Sequence, residues 1–329
     1  MDRVLVRIPN WLGDALLARP LLHALRRTWP RAALRVVGPA SLIELLSADP
    51  IADDWEAWPA RGEERGALIA SLAAWRPDAA LVLPPSFSSA WFAWRTGARE
   101  RVGYAHEGRS PLLTRALRRP PRGDRHLSEE YMELGRALGA GAGPAPPLPV
   151  REEGREEALA LLRKRGLARD RVAILGPGAI YGPAKRWEPE RYAALARALA
   201  RDGYCVLVCG AASDREPCAE VAARAAGGVV SLAGETGITL QAGLCATASL
   251  AVCNDSGLAH LAAAVGAPTV VIFGSTSSAW TAPLGERVRV VQRAPVCSPC
   301  FQRTCAIGYG CLTAITVADV ERACREVAA

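Results

Sequence analysis

Apolar positions along this chain follow two rhythms. RVLVRIP (3–9), AALVL (79–83), YCVLVC (204–209), SLAVC (249–253) and PTVVIF (268–273) are nearly unbroken hydrophobic runs. Runs of that kind mark strands covered on both faces, as in parallel sheets. Between them the spacing becomes helical: Leu16, Leu17, Leu21, Leu22 and Leu25 line one side of a helix expected over 15–28. The same reading predicts strands at 33–38, 99–104, 171–179 and 228–231, and helices at about 189–201, 213–225, 239–247 and 256–265. Strand alternating with helix predicts an α/β protein built on parallel sheet.

GAGPAPPLPV (141–150) interrupts the alternation with Gly and Pro and reads as a linker. It divides the chain into an N-terminal domain, 1–145, and a C-terminal domain, 151–329, whose first strand (RVAILGPGA) echoes RVLVRIP. The expectation is two Rossmann-like doubly wound domains facing across a cleft, with ligands at the carboxyl ends of the strands. A chain of 329 residues, half of them hydrophobic, can fill two cores. It contains nothing close to the roughly 20-residue apolar run of a membrane-spanning helix. MDRVLVRIPNWLGD carries charge through what would be a signal peptide's apolar stretch, so it reads as a first strand, and a cytoplasmic location is expected.

Charge changes the picture modestly. Forty basic against 33 acidic residues give a net +7, which favours anionic partners without choosing among nucleotide, phosphorylated substrate, membrane surface and nucleic acid. RALRRPPRGDRH (115–126) concentrates Arg115, Arg118, Arg119, Arg122 and Arg125 around two prolines and reads as a basic loop, either a solvated connector or a grip on an anionic acceptor. A nucleic-acid-binding protein using this patch and the cysteines described next is the competing class. The arginines are not interleaved with stacking aromatics, however, and no known nucleic-acid module is visible, so no nucleic-acid partner is expected.

All ten cysteines lie beyond residue 200. Cys205, Cys209, Cys218, Cys245, Cys253 and Cys324 sit in apolar or helical settings, as reduced core thiols would. Cys297, Cys300, Cys305 and Cys311 are spaced C-x2-C-x4-C-x5-C. A structural zinc, a disulfide and free thiols all remain open for these four, because the spacing lacks paired C-x2-C units.

Three strand-to-helix junctions carry candidate chemistry. In NDSGLAHL (254–261), a helix capped by Asp255 or Ser256 would leave the N–H groups of Ser256, Gly257 and Leu258 facing a ligand, and such an end attracts phosphate. An ordinary capped helix, with His260 merely packed, is the plain alternative. GPGAIYGPAKRW (176–187) is a Gly/Pro-rich loop bearing Lys185 and Arg186 whose spacing is not that of a Walker A loop; Lys185 could neutralise a diphosphate or belong to a surface basic pair. In NWLGDALLARP (10–20), Asp14 is either a helix cap or a carboxylate able to take a proton from an attacking hydroxyl.

Taken together, RVLVRIPNWLGDALLARPLL, GPGAIYGPAKRWEPERYAALA, NDSGLAHLAAAVGAPTVVIFGSTSSAWTAP and CSPCFQRTCAIGYGCL resemble the ADP-heptose:lipopolysaccharide heptosyltransferases, glycosyltransferase family 9, in matching order over nearly the whole chain. The likeness is greatest to the enzymes that add the second heptose; first-heptose enzymes and other GT-B core sugar transferases are the alternative. The resemblance implies a two-domain GT-B enzyme that moves L-glycero-D-manno-heptose from ADP-heptose to the lipid-linked inner core of lipopolysaccharide. It implies inversion at the sugar and no metal cofactor for catalysis, at the cytoplasmic face of the inner membrane with peripheral contact to anionic lipid. The N-terminal domain would hold the acceptor and the C-terminal domain the ADP-sugar. By the same resemblance Asp14 is the base, and Lys185 meets the ADP phosphates. Asp255, Ser256, Gly257 and Leu258, with His260 in the same stretch, hold the diphosphate and donor sugar; Glu216 holds the adenosine ribose. The arginines of 115–125 would meet acceptor phosphates or the bilayer.

Overall fold

The computed structural model describes residues 1–167 and 171–328. The chain forms two compact units, Met1–Pro146 and Pro147–Ala329. In the first unit the elements run β1 (Arg3–Arg7), α1 (Leu12–Leu17), α2 (Arg19–Thr28), β2 (Ala33–Gly38), α3 (Ala40–Leu46), β3 (Asp54–Ala57), α4 (Gly62–Trp75), β4 (Ala79–Val82), α5 (Phe87–Arg95), β5 (Glu100–Ala105), β6 (Arg115–Arg118) and α6 (Leu127–Ala137). Its sheet has the order β3-β2-β1-β4-β5-β6, and each neighbouring pair is parallel.

The second unit runs α7 (Glu152–Lys164), β7 (Val172–Gly176), α8 (Pro189–Arg201), β8 (Cys205–Val208), α9 (Arg215–Ala225), β9 (Val230–Ser231), α10 (Ile238–Thr247), β10 (Leu250–Asn254), α11 (Gly257–Ala264), β11 (Thr269–Phe273), α12 (Ser278–Thr281), β12 (Val288–Gln292), α13 (Gly310–Thr313) and α14 (Val317–Ala328). Its order, β12-β11-β10-β7-β8-β9, is again all parallel. Counted from each unit's own first strand, both sheets have the 3-2-1-4-5-6 order of a doubly wound nucleotide-binding fold. Winding reverses between β1 and β4 in one sheet and between β7 and β10 in the other. In doubly wound sheets such reversal points are where ligands bind, beyond the carboxyl ends of the strands.

The apolar runs became the central strands for the expected reason. β4, β7, β8, β10 and β11 are buried at every position, a setting filled mostly by side chains such as Val, Ile, Leu and Cys. In the second unit Trp187, Tyr192, Val206, Val252 and Ile272 share one core with Leu312 and Val320 of the C-terminal elements. A first-unit core gathers Leu5, Val37, Leu72, Val82 and Phe92.

Two expectations need correction. The helix expected over 15–28 is two helices, α1 and α2, joined at Ala18; Pro20 lies in the first turn of α2, where its missing N–H costs nothing, and it starts a new helix instead of continuing the old one. The basic run is not wholly loop, because Arg115–Arg118 forms edge strand β6, paired with Val102–Ala105. Most of its arginines are also committed locally. Arg115 meets Glu100 at 2.7 Å, Arg119 meets buried Glu130 at 2.8 Å and Arg125 meets Glu133 at 3.1 Å, so much of the expected positive patch is neutralised within the unit. Residues 141–150 have no regular secondary structure, but the segment is tied down. Thr28 Oγ1 accepts the Gly141 N–H, Arg27 donates to the carbonyl of Pro144 and Arg19 to that of Pro146.

Candidate functional site

The second unit's switch point brings together residues far apart in sequence. β7 and β10 are adjacent, with Gly176 opposite Cys253, so the loop after β7 and the junction after β10 emerge side by side. Asn254, the last residue of β10 and fully buried, fastens them. Its Nδ2 donates to the carbonyl of Pro177 at 2.6 Å, and its Oδ1 accepts the Trp187 N–H and the Tyr192 hydroxyl, each at 3.1 Å. The apolar run therefore ends in an asparagine because a buried amide can hold both ends of the β7–α8 loop against the end of β10, donating to Pro177 at one end and accepting from Trp187 at the other.

On this frame Lys185 Nζ lies 2.6 Å from Asp255 Oδ2, with the carboxylate nearly sealed from solvent. The same oxygen accepts the hydroxyl of Thr276, also at 2.6 Å, and the Thr276 carbonyl accepts the Gln292 amide. Lys185 also stands 4.8 Å from the centre of the Tyr181 ring. Asp255 thus does not cap the following helix. Ser256 is the N-cap residue, and among the described residues no side chain caps the helix. The first N–H groups of α11 consequently keep the polarity of an open helix end. His260 is buried on that helix.

The loop that carries Lys185 is braced by the cysteine-rich segment. Ala184 N–H donates to Arg303 O, Arg303 Nε to Tyr181 O and the Tyr181 hydroxyl to Phe301 O, while Phe301 N–H donates to Ser275 O. Gly182 has φ +148°, and a Cβ there would lie 2.5 Å from Arg303 O, so only glycine lets the two loops close. Cys297 is exposed, Cys300 and Cys305 are intermediate and Cys311 is buried; all four are free. Cys305 Sγ faces the N–H groups of Ile307 and Tyr309, at 3.4 and 3.3 Å. Among the described residues no group of three or more His, Cys, Asp or Glu is placed to hold a metal ion. The segment's visible work is bracing.

Glu216 is exposed in the first turn of α9, beyond the end of β8. Sequence reasoning missed its neighbour Asp214. That carboxylate is buried between two glycine loops: a Cβ on Gly178 would fall 2.2 Å from its Cγ, and one on Gly210 2.8 Å from its Cβ. Oδ2 accepts the Ala211 N–H at 3.1 Å, and among the described residues Oδ1 has no hydrogen-bond partner. Burial pushes this carboxyl above its ordinary range, outweighing that hydrogen bond and nearby Arg186. Another overlooked signal concerns Lys185 itself. Of forty basic residues only Lys164 and Lys185 are lysines. In so arginine-rich a chain, lysine at 185 marks a place that takes a compact point charge and not a planar fork.

In the first unit Asp14 lies within the first turn of α1, after β1; Trp11 is the N-cap residue. Asp14 is therefore not the cap. Its charge reaches buried Tyr131, whose hydroxyl is pushed well above its usual pKa, first by burial and then by Asp14. Asp14 also stands at its sheet's switch point, since Arg7, the end of β1, pairs with Val82, the end of β4.

Two doubly wound units, each with an all-parallel sheet of 3-2-1-4-5-6 order, have the GT-B glycosyltransferase fold. Residues 65–309 match the family model described as "Glycosyltransferase family 9 (heptosyltransferase)", and the chain belongs to that family. It is 34% identical over 306 residues to lipopolysaccharide heptosyltransferase 2 of Escherichia coli K12, with 88% of each chain covered. To lipooligosaccharide heptosyltransferase 2 of Haemophilus influenzae it is 31% identical over 309 residues, again with 88% of each covered. Among solved structures, E. coli ADP-heptose lps heptosyltransferase II superposes with a TM-score of 0.83 at 31% identity, covering 100% of this chain and 98% of that one. A family 9 glycosyltransferase from Veillonella parvula reaches 0.87 at 23% identity, a likeness of fold.

Proposed function

We propose that this enzyme transfers L-glycero-D-manno-heptose from ADP-heptose to the inner core of lipopolysaccharide, adding the second heptose with inversion. The observation that carries the reading is the pairing of Lys185 with the open end of α11 at one switch point, in a chain one-third identical to heptosyltransferase 2 enzymes.

The chemistry follows from charge. Asp14 takes the proton from the acceptor heptose hydroxyl; the oxygen attacks the anomeric carbon from the face opposite the nucleotide, and the C–O bond to ADP breaks. The electron pair departs on the diphosphate, whose charge is met by the Lys185 ammonium and by the N–H groups of Ser256, Gly257 and Leu258. That stabilisation is preorganised and calls for no divalent cation. Asp255 orients Lys185 and, with His260, borders the donor sugar. Glu216 holds the ribose hydroxyls. The first unit receives the lipid-linked acceptor, and the basic run from Arg115 to Arg125 meets its phosphates at the cytoplasmic face of the inner membrane. No helix among the described residues is long and apolar enough to cross a membrane, so that contact would be peripheral.

The test uses purified protein, ADP-heptose and two defined acceptors, one carrying a single inner-core heptose and one carrying none, in the presence of EDTA. ADP release with a mass gain of one heptose on the first acceptor alone is expected. Transfer only to the heptose-free acceptor would assign the first-heptose step instead, and transfer to neither would overturn the reading.

A further inference from the structure

Helix α5 has two apolar faces, and only one is explained by the fold. Ala90, Phe92 and Ala93 are buried, with Phe92 edge-on to Trp58 at 5.1 Å between ring centroids. Yet Phe87, Trp91 and Trp94 are 49%, 39% and 49% exposed. At 100° per residue, spacings of four and seven place these three rings within about 60° of one another, one stripe along the helix. A surface helix ordinarily turns polar residues to that side. Singly exposed aromatics are unremarkable, but three large rings in register mark an interaction surface.

The chemistry around the stripe selects the partner. From Pro84 to Arg99 there is no acidic residue, while Arg95 and Arg99 are both present. Arg95 lies over the Trp91 ring at 5.1 Å; the Arg99 side chain is 86% exposed, with Asp78 at 4.0 Å, and Glu107 accepts the Phe87 N–H at 3.2 Å at the start of the helix. Trp and Phe beside arginine, with no carboxylate in the segment, complement the headgroup layer of an anionic bilayer, where amphipathic rings settle and arginine meets phosphate. The helix also begins at the right place. It follows β4, whose end pairs with the end of β1, so its first turn starts at the same sheet edge as the helix bearing Asp14. Trp11, 61% exposed, opens that neighbouring helix.

We infer that the outer face of α5, formed by Phe87, Trp91, Trp94 and Arg95, with Arg99 in the connection that follows the helix, is the surface by which this protein docks on anionic lipid. The inference deepens the proposed membrane contact and rests on a lipid-linked acceptor. Docking through α5 brings the Asp14 edge of the sheet towards the plane from which such an acceptor projects. Arginines 115, 119 and 125, spent on internal ion pairs, contribute less.

Flotation with phosphatidylglycerol–phosphatidylcholine vesicles, against vesicles of phosphatidylcholine alone, tests it without sugar or acceptor. The wild-type chain should float with the anionic vesicles and far less with the neutral ones. Trp91→Gln/Trp94→Gln should partition at least about tenfold more weakly, and Arg95→Glu/Arg99→Glu should lose the preference for anionic lipid. Both variants should keep the wild-type melting temperature and their turnover of a deacylated, water-soluble acceptor. Equal flotation of wild type and both variants, or no flotation of wild type, overturns the inference, as does equal binding to neutral vesicles. So does a dimer that the tryptophan variant converts to monomer, which would assign the stripe to a second copy. If flotation fails while heptose transfer persists, only the docking surface falls. If flotation holds without transfer, it is the proposed reaction that falls.

Discussion

Lys185 and Asp255 are seventy positions apart in sequence, yet ammonium and carboxylate oxygen stand 2.6 Å from each other at the reversal point of the second sheet. Thr276 adds a hydroxyl to the same oxygen, so the carboxylate holds the lysine instead of capping α11. A cation fixed this way loses little freedom when a diphosphate arrives. Lys185→Ala should weaken ADP binding about 10- to 100-fold by isothermal titration, the range for a lost hydrogen bond to a charged group. Lys185→Arg should recover only part of this, because a planar fork cannot reproduce a point charge wedged between Asp255 and the Tyr181 ring. Unchanged affinity in Lys185→Ala would remove the lysine from the donor site.

Asp14→Asn should separate chemistry from donor binding. The replacement is nearly isosteric, and the proposed donor residues all belong to the other unit. Losing a general base typically costs about 10²- to 10⁴-fold in rate, so kcat should fall by that order while ADP affinity changes less than about twofold. Turnover near the wild-type rate would show that another group accepts the proton.

The sequence made the central strands and the strand-to-helix junctions visible, because a strand buried on both faces leaves an unbroken apolar run. Strands β3, β6 and β12 did not stand out for the opposite reason. They are edges, half exposed, and carry Asp54, Arg115 and Arg289 within them. Candidate site residues near the junctions could be named one at a time, but their grouping could not. Lys185 meets Asp255 only because strand order reverses, and Asn254 holds the β7–α8 loop and α8 through contacts 62 to 77 residues away. Asp214 was hidden in a loop whose neighbouring glycines give no hint that they close around a carboxylate.

Arg19 and Asp49 form a buried pair joined by His23, with both charged side chains less than 5% exposed. Burial alone would raise the Asp49 carboxyl, but hydrogen bonds from His23 and Arg19 outweigh it and hold the pKa below the ordinary range. A depressed carboxylate contributes stability above its unfolded pKa and loses it as pH falls through the folded value. Asp49→Asn should therefore cost about 3–5 kcal/mol at pH 7, the price of leaving Arg19 buried without its anion. That difference from wild type should shrink in urea melts carried below about pH 4. A constant difference across that range would mean the carboxylate's charge is not what matters.

Cys305 differs from the core thiols in a way that alkylation can read. Backbone N–H groups of Ile307, Tyr309 and Gly308 hold its pKa below the usual thiol value, whereas burial pushes Cys209 and Cys245 up to about 12. The thiolate is the reacting form. At pH 7 and limiting iodoacetamide, Cys305 should be the most rapidly labelled of the loop cysteines in a mass-spectrometric time course. Cys209 and Cys245 should remain unlabelled until urea unfolds the second unit. Labelling of Cys297 well ahead of Cys305 would show that exposure governs here and the amide contacts do not.

Asp214 gives the opposite pH dependence to Asp49. Its folded pKa is raised, so the folded state resists ionisation: the favourable contribution is complete below the unfolded carboxyl pKa and is lost as pH rises through the folded value. An asparagine keeps an oxygen for the Ala211 N–H and carries no charge to bury. Asp214→Asn should therefore melt about 1–3 °C above wild type at pH 7 to 8, with the two curves converging towards about pH 4. The gap between Gly178 and Gly210 leaves no room for a larger group, so Asp214→Glu should lower the melting temperature at every pH. If Asp214→Asn instead melts below wild type at neutral pH, the unpartnered Oδ1 has a cation or water partner that offsets the cost of burying its charge.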